Sequence, residues 1–109
     1  MKPICIYGNQ GSGKTVLANK LAGDKPFVCS GVPNTKYLDF EPSAIIIELQ
    51  WNEGMEKVKC LIEQKTLHFR STYAGCETAI TMPQLIFTAY KKKVFKGLKN
   101  VQLIKTKKL

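Results

Sequence analysis

Short apolar runs separated by polar segments are the main pattern along this chain. The run at residues 44–49 (AIIIEL) is apolar at successive positions, which is typical of a strand buried on both faces of a parallel sheet. Two further runs, at residues 66–73 and 77–82, flank residues 74–76 and predict a β-hairpin. The other predicted strands are residues 2–7, 26–30, 84–88 and 101–104.

Two segments have the spacing of amphipathic helices. The first is predicted over residues 14–22 and ends before Gly23, and the second over residues 53–64, where Asn52 can cap the N-terminus. Strands that alternate with helices predict an α/β, three-layer fold with a mainly parallel central sheet, and we assign residues 1–109 to one domain. The apolar stripes expected to face the sheet are Val16, Leu17, Leu21 and Ala22 in the first helix and Met55, Val58, Leu61 and Ile62 in the second.

Charge is distributed unevenly along the chain, which carries a net charge of +9. Residues 1–77 contain nine basic and eight acidic side chains, whereas residues 78–109 contain eight lysines and no acid. Such asymmetry predicts an anionic partner, and we expect nucleic acid, with single-stranded DNA as the first choice. A solvated lysine-rich surface is the alternative interpretation.

Other totals exclude several classes of protein. No stretch approaches the ~20 apolar residues that span a bilayer, and the first residues lead directly into a strand, so we expect a cytoplasmic protein without a membrane partner. The four cysteines, Cys5, Cys29, Cys60 and Cys76, lack CxxC spacing and the chain has one histidine. We therefore expect free, mostly buried thiols rather than a zinc site.

Residues 8–15 (GNQGSGKT) follow the first predicted strand and run into the first predicted helix. They fit the P-loop pattern GxxxxGK[ST] at every fixed position. Its glycines permit positive φ and leave backbone N–H groups open to phosphate, and the following helix points its partial positive charge the same way. Lys14 is expected to reach the β- and γ-phosphates of ATP or another nucleoside triphosphate, and the Thr15 hydroxyl to ligate Mg²⁺. The predicted cofactor-binding residues are Gly8, Asn9, Gln10, Gly11, Ser12, Gly13, Lys14 and Thr15.

A carboxylate lies near the end of the run at residues 44–49. Glu48 leaves the carboxyl end of that strand, where open α/β sheets bind their ligands. Because a P-loop needs an acidic neighbour to hold its metal, we predict Glu48 as a metal ligand beside Thr15 and, with Lys14, as a catalytic residue. The alternative is that Glu48 is only the polar end of a strand.

The order of these elements resembles the superfamily 3 helicase domain, which occurs in replication initiators of small DNA viruses such as circoviruses and parvoviruses. The resemblance covers about residues 1–90: a P-loop, an apolar strand with an acid, a turn containing Trp51, a helix, a hairpin, and an apolar strand led by Pro83. It implies a P-loop NTPase fold with a β-hairpin insertion, ATPase activity and assembly as a homo-oligomeric ring. It also implies that basic residues of the hairpin contact DNA.

Three departures from that family concern hydrolysis. The family has two adjacent acids after the second strand, one of which activates water, but Leu49 follows Glu48 here. The family's sensor Asn is replaced by Tyr90, and the arginine that a neighbouring subunit supplies has no counterpart, because Arg70 in the hairpin is the only arginine. Lys14 and Thr15 are present, so we expect nucleotide binding with weak or partner-dependent hydrolysis.

The predicted hairpin carries the candidate nucleic-acid contacts. His68 and Arg70 alternate along one strand and therefore share a face, and Lys65 precedes them. These three side chains either contact a phosphate backbone or form a solvated sheet face. The aromatic residues Trp51, Tyr73, Tyr90 and Phe95 are expected mainly to pack against apolar neighbours.

The favoured hypothesis is a minimal helicase-like ATPase that acts on viral, phage or plasmid DNA, as a ring or with a larger replication or assembly partner. The main alternative is a non-hydrolysing nucleotide-binding module that regulates a partner. A small-molecule kinase is less favoured, because such enzymes clamp phosphates with several arginines. A phage assembly ATPase is a further alternative, but no apolar segment supports membrane attachment.

Overall fold

The structure, a computed structural model, describes residues 2–9, 11, 13–31, 40–49, 55–70 and 77–106. Elements are numbered in chain order. The strands are β1 (Ile4–Tyr7), β2 (Pro26–Ser30), β3 (Ala44–Glu48), β4 (Thr66–Arg70), β5 (Glu77–Thr81), β6 (Gln84–Ala89) and β7 (Gln102–Lys105); the helices are α1 (Lys14–Ala22) and α2 (Met55–Glu63), and a short 3₁₀ helix covers Lys92–Phe95.

Five strands form a central sheet in the order β2-β3-β6-β1-β7, and every neighbouring pair is parallel. This confirms the predicted α/β architecture with a parallel central sheet. From β1 the chain crosses to the far edge at β2, then returns through β3 and β6 and passes β1 to reach β7. The direction of the connections therefore reverses between β1 and β6, and open α/β sheets bind ligands at such a reversal, outside the carboxyl ends of the strands.

Apolar side chains cover both faces of this sheet, as the continuous apolar run in β3 predicts. Ala44 and Ile46 belong to a buried cluster with residues of α1, whereas Ile45 and Ile47 belong to a second cluster with residues of α2. Alternate side chains of one strand thus point to opposite faces. The two helices pack on opposite sides of the sheet and fix where its loops emerge.

The predicted apolar stripe of α1 is wrong in part. Val16 and Leu21 are 61% and 41% exposed, while Ala18 and Ala22 are buried in the cluster with Ile46. Alanines spaced four residues apart share one face of a helix, and their small size lets the helix axis approach the sheet closely. The predicted Leu17 and Ala22 do pack with this cluster, whereas Ala18 was not predicted to do so.

Strands β4 and β5 form a separate antiparallel pair, which we call the ribbon. Leu67 of the ribbon is fully buried in the same cluster as Val58 and Leu61 of α2, so the ribbon packs on that face of the molecule. β5 ends at Thr81, one residue before the predicted end of the second strand. Residues 71–76, which include the predicted turn, lie outside the described residues.

Several predicted boundaries shift by one or two residues. The first strand begins at Ile4, β3 ends at Glu48 rather than Leu49, β6 extends to Ala89, and the last strand is Gln102–Lys105. The segment that follows β6 had no clear pattern and contains the 3₁₀ helix, whose Phe95 is buried as expected. Trp51 and Asn52 lie outside the described residues, as does Tyr73.

Candidate functional site

A cavity of about 560 Å³ opens at the carboxyl ends of β1, β3 and β6. Its volume lies within the range typical of small-molecule sites. It sits beside the reversal of chain direction between β1 and β6, where the topology favours a ligand site. The lining residues come from the loop after β1, the start of α1 and the ends of β3 and β6; they are Gly11, Gly13, Lys14, Thr15, Val16, Glu48, Leu49, Thr88, Ala89 and Tyr90.

Two glycines give the loop after β1 its shape. Gly11 and Gly13 have φ angles of 79° and 85°, in the left-handed region that side chains rarely adopt. Apart from its chain neighbours, no described atom lies within 4 Å of the place that a β-carbon would take at either residue. Glycine is therefore required by the backbone conformation, and the space beside it remains open to a ligand.

Helix α1 begins directly at this loop. Gly13 occupies its N-cap position, the Leu17 N–H donates to the Gly13 carbonyl over 3.0 Å, and among the described residues no side chain caps the helix. Helix N-termini leave backbone N–H groups without helical partners and carry a partial positive charge. The first turn contains no acidic residue that would neutralise that charge. The arrangement favours an anion beside Lys14 and Thr15.

Lys14 lies at the centre of the site. Its Nζ donates hydrogen bonds to the carbonyl oxygens of Gly8, over 2.8 Å, and Asn9, over 3.0 Å. The same Nζ lies 4.6 Å from the centre of the Tyr90 ring. Partial burial lowers the pKa of Lys14 from its usual value.

Glu48 lies at the end of β3 and lines the same cavity as Thr15. Hydrogen bonds fix its backbone: its carbonyl accepts from the Gly31 N–H over 2.7 Å, and the next N–H, of Leu49, donates to Thr88 over 2.9 Å. Alternation along β3 directs the half-buried Glu48 side chain toward the face covered by α1. Thr15 and Glu48 thus supply a hydroxyl and a carboxylate to one cavity.

Other predicted members of the site have mixed outcomes. The Gly8 N–H donates to Ala89 over 3.2 Å and ties the loop to β6, and Asn9 contributes a carbonyl to Lys14. Gln10 and Ser12 lie outside the described residues. Leu49, where the resembled family has a second acid, is an apolar side chain buried in the core.

The residue pattern alone did not predict that Thr88 and Tyr90 line the cavity, and only the family resemblance placed Tyr90 at a site position, that of the sensor Asn. Tyr90 was expected to pack, but it is 53% exposed and its ring faces Lys14. Side-chain alternation along β6 could have indicated this position. Ile86 belongs to the cluster with α1, and residues 88 and 90 follow it at intervals of two, so they are expected on the same face of the sheet. Tyr90 lies one residue beyond the strand, where the sheet no longer covers it.

The predicted nucleic-acid residues do not adjoin this cavity as a group. Exposed Lys65 lines a shallow cavity with Pro3 and Pro83, which precede β1 and β6, so it lies at the amino ends of these strands. A six-residue strand such as β6 spans roughly 20 Å, which separates Lys65 from the carboxyl ends. His68 is exposed on the ribbon, and the side chain of Arg70 lies outside the described part of the structure.

A different set of lysines lies close to the cavity. Lys91, Lys92 and Lys93 directly follow Tyr90 and are exposed, and exposed Lys105 pairs in register with Tyr7, the residue before the P-loop. Neighbouring strands lie about 4.8 Å apart, so Lys105 is close to the start of the loop. We call these four residues the lysine rim. Three of its lysines follow the carboxyl end of β6, and the fourth is the last residue of β7.

The described cysteines are free thiols, as predicted, but differ in burial. Cys5 is buried in the core, Cys29 is half-buried, and Cys60 is exposed on α2, contrary to the expectation that most are buried. Burial raises the pKa of Cys5 to about 12 and that of Cys29 to about 11, so both remain protonated near neutral pH. Cys76 lies outside the described residues.

Comparison with known proteins leaves the chain without a family assignment. Neither the models of protein families nor the curated proteins contain a match to it. In the described residues, no helix combines the length and apolar character needed to cross a bilayer.

Proposed function

We propose that this protein binds a nucleoside triphosphate with Mg²⁺ at the loop between β1 and α1. The main supporting observation is the convergence, in one cavity, of the left-handed Gly11 and Gly13, the Lys14 ammonium at a helix N-terminus, and the Glu48 carboxylate. Loop N–H groups and a helix N-terminus suit phosphate, and a carboxylate with a hydroxyl suits Mg²⁺, which takes few protein ligands and retains water.

Each residue has a defined part in this proposal. Backbone N–H groups of the loop hold phosphate oxygens, and Lys14 neutralises charge on the β- and γ-phosphates. The Thr15 hydroxyl and the Glu48 carboxylate would hold Mg²⁺, directly or through water, and the ion would supply positive charge beside the phosphates. Glu48 also orients a water molecule for attack on the γ-phosphate.

The order of elements supports a relationship to superfamily 3 helicase domains as part of the proposal. The ribbon follows α2 and precedes β6, at the place where the resembled family has its DNA-contacting hairpin. The parallel sheet and the cavity at its carboxyl edge agree with a P-loop NTPase fold. We therefore favour a minimal helicase-like ATPase over a kinase.

A titration series tests nucleotide binding. Calorimetry should show saturable binding of ATP or GTP in the presence of Mg²⁺ and weaker binding when EDTA removes the metal. AMP should bind much more weakly, because it lacks the β- and γ-phosphates that Lys14 is expected to contact. Equal affinity for AMP and ATP, or no binding at millimolar concentration, would contradict the proposal.

Hydrolysis by the isolated chain is predicted to be slow. Leu49 supplies no second carboxylate and Tyr90 supplies no amide at the cavity, so water activation falls to Glu48 alone. Release of phosphate from Mg-ATP should stay below about 1 per second, under the ordinary enzyme range. Faster turnover would show that the missing groups are not needed. No turnover even with DNA would favour the regulatory module.

Nucleic acid is the partner we propose for the lysine-rich part of the chain. The lysine rim favours this choice, because its exposed charges lie at the same edge of the sheet as the phosphate cavity. Lysines that neutralise phosphates release counterions and supply affinity without sequence preference. A single strand bound there would lie next to the nucleotide.

A further inference from the structure

The Lys14 ammonium is already engaged by the protein itself. Two of its three protons are donated to the carbonyls of Gly8 and Asn9, at 2.8 and 3.0 Å. Above it lies the ring of Tyr90, at 4.6 Å from Nζ to the ring centre, within the ~6 Å over which a cation is attracted to an aromatic face. One proton of the ammonium is left for a phosphate, and the Tyr90 ring lies beside the same group.

We propose that Tyr90 is a latch on Lys14, which holds the ammonium against the loop carbonyls and so lowers the affinity of the cavity for di- and triphosphates. This inference rests on the proposed nucleotide site. A contact that holds Lys14 Nζ against the loop carbonyls and the Tyr90 ring reduces the fraction of protein in which the ammonium is free to contact phosphate, and apparent affinity falls by that fraction. Tyr90 is thus a positioning residue that acts through Lys14.

The position of Tyr90 suits a latch better than a packing role. The residue lies just beyond β6, in the phase of Thr88, and more than half of its surface is exposed. Burial of the ring in the core therefore does not explain its orientation. The contact with Lys14 does, because the ring face offers negative potential to an ammonium group that is partly withdrawn from water.

The latch makes a prediction about ligand class. Lys14 is expected to contact the β- and γ-phosphates, so releasing it should help triphosphates and diphosphates but not a monophosphate. Inorganic triphosphate should behave like ATP, because no nucleobase is needed for the effect. If Tyr90 instead stacked on a base, ATP would depend on the ring and inorganic triphosphate would not.

The binding test compares Tyr90→Leu and Tyr90→Phe with the wild type. Tyr90→Leu removes the aromatic face and should tighten Mg-ATP and inorganic triphosphate by about two- to fivefold, which matches the strength of an exposed cation–π contact. Tyr90→Phe keeps the ring and should shift affinity less. Unchanged or weaker triphosphate binding in Tyr90→Leu would overturn the latch. The affinity for AMP should be the same in Tyr90→Leu as in the wild type. A gain for AMP as large as the gain for triphosphates would also overturn the latch.

Phe40→Leu is the matched control, since it replaces another exposed aromatic side chain by leucine. Its ring contacts Phe27 of β2, at the sheet edge opposite β7. Triphosphate affinity should equal that of the wild type. A gain in this variant as large as in Tyr90→Leu would assign the effect to general loosening of the fold and overturn the latch.

A second measurement needs no nucleotide. With lysine side chains isotopically labelled, the ε-methylene signal of Lys14 should show an upfield ring-current shift that persists in Tyr90→Phe and disappears in Tyr90→Leu. A shift that is absent from the wild type would overturn the latch even if nucleotide binds. If the shift is present and no variant binds any phosphate ligand, the proposed nucleotide function fails while the Lys14–Tyr90 contact stands.

Discussion

At the scale of single residues, the candidate site depends on backbone conformation as much as on charged side chains. Gly11 and Gly13 take left-handed φ angles, and Gly13 is also the N-cap of α1. Lys14 and Glu48 then add opposite charges to a cavity whose shape the glycines set. A change at a glycine should therefore affect binding without removing any charge.

Gly13→Ala tests this dependence, and Gly97→Ala is its control. Both glycines have left-handed φ, 85° and 91°, and at both a β-carbon would meet no described atom within 4 Å. Each substitution should cost about 1–2 kcal/mol of unfolding free energy, the penalty of a side chain in the left-handed region. Only Gly13→Ala should also weaken Mg-ATP binding.

The measurement pairs urea denaturation with calorimetry on both variants. Equal loss of stability with a binding defect confined to Gly13→Ala is the expected result. Weaker binding in Gly97→Ala as well would assign the defect to general destabilisation, and normal binding in Gly13→Ala would separate the loop conformation from phosphate recognition.

At the scale of elements, α1 connects the core to the site. Ala18 and Ala22 lie against Ile46 and Ile86 of the sheet, and the same helix presents Lys14 and Thr15 to the cavity. Because the helix is nine residues long, a shift of its buried face also moves its first turn. Close packing by alanines therefore fixes the height of the phosphate-facing end above the sheet.

Ala18→Leu should destabilise the protein by about 1–3 kcal/mol, because a larger side chain in a fully packed interface forces displacement. The matched control is Leu21→Ala, which makes the reverse exchange on the exposed side of the same helix and should cost less than about 1 kcal/mol. Helix propensities of Ala and Leu are similar, so packing dominates the comparison. Chemical denaturation measures both. A larger loss from Leu21→Ala would support the stripe that the sequence predicted.

The sequence was informative where one physical cause dominates. The continuous apolar residues of β3 identified a strand buried on both faces, and the P-loop pattern located the turn from β1 into α1. The sequence was misleading for α1, where Val16 and Leu21 are exposed and Ala18 is buried. The spacing of apolar residues does not show how closely a helix approaches the sheet, and that distance decides which side chains fit between them. The contact between Tyr90 and Lys14 was not predicted, because the two residues lie 76 positions apart in sequence and only strand order brings β6 beside β1.

At the scale of the whole molecule, the candidate nucleic-acid contacts lie at two opposite ends of the strands. The lysine rim, Lys91–Lys93 and Lys105, lies at the carboxyl edge beside the cavity, whereas Lys65 lies at the amino ends of the strands. A nucleic acid bound at the rim would adjoin the nucleotide. One bound around Lys65 would be separated from it by the length of the sheet.

Salt dependence of single-stranded DNA binding distinguishes the two ends. Replacing Lys91, Lys92 and Lys93 together by Gln should reduce the log–log salt slope by about 2, at roughly 0.7 per lost phosphate contact, and weaken binding. Lys57→Gln with Lys59→Gln, on the exposed side of α2, is the control and should change the slope little. A larger effect from Lys65→Gln with His68→Gln would place the interface on the ribbon. No binding at low salt would remove nucleic acid as the partner.

The most direct test of the nucleotide site compares the melting temperatures of the wild type, Lys14→Ala and Lys20→Ala with and without saturating Mg-ATP. A ligand that binds only the folded protein raises its stability, by about 2.7 kcal/mol at a hundredfold excess over Kd. Lys20 is an exposed lysine in the last turn of α1 and serves as the matched control. We expect a ligand-dependent rise in the wild type and Lys20→Ala that is largely lost in Lys14→Ala. An equal rise in all three proteins would show that nucleotide binds elsewhere and would contradict the P-loop assignment.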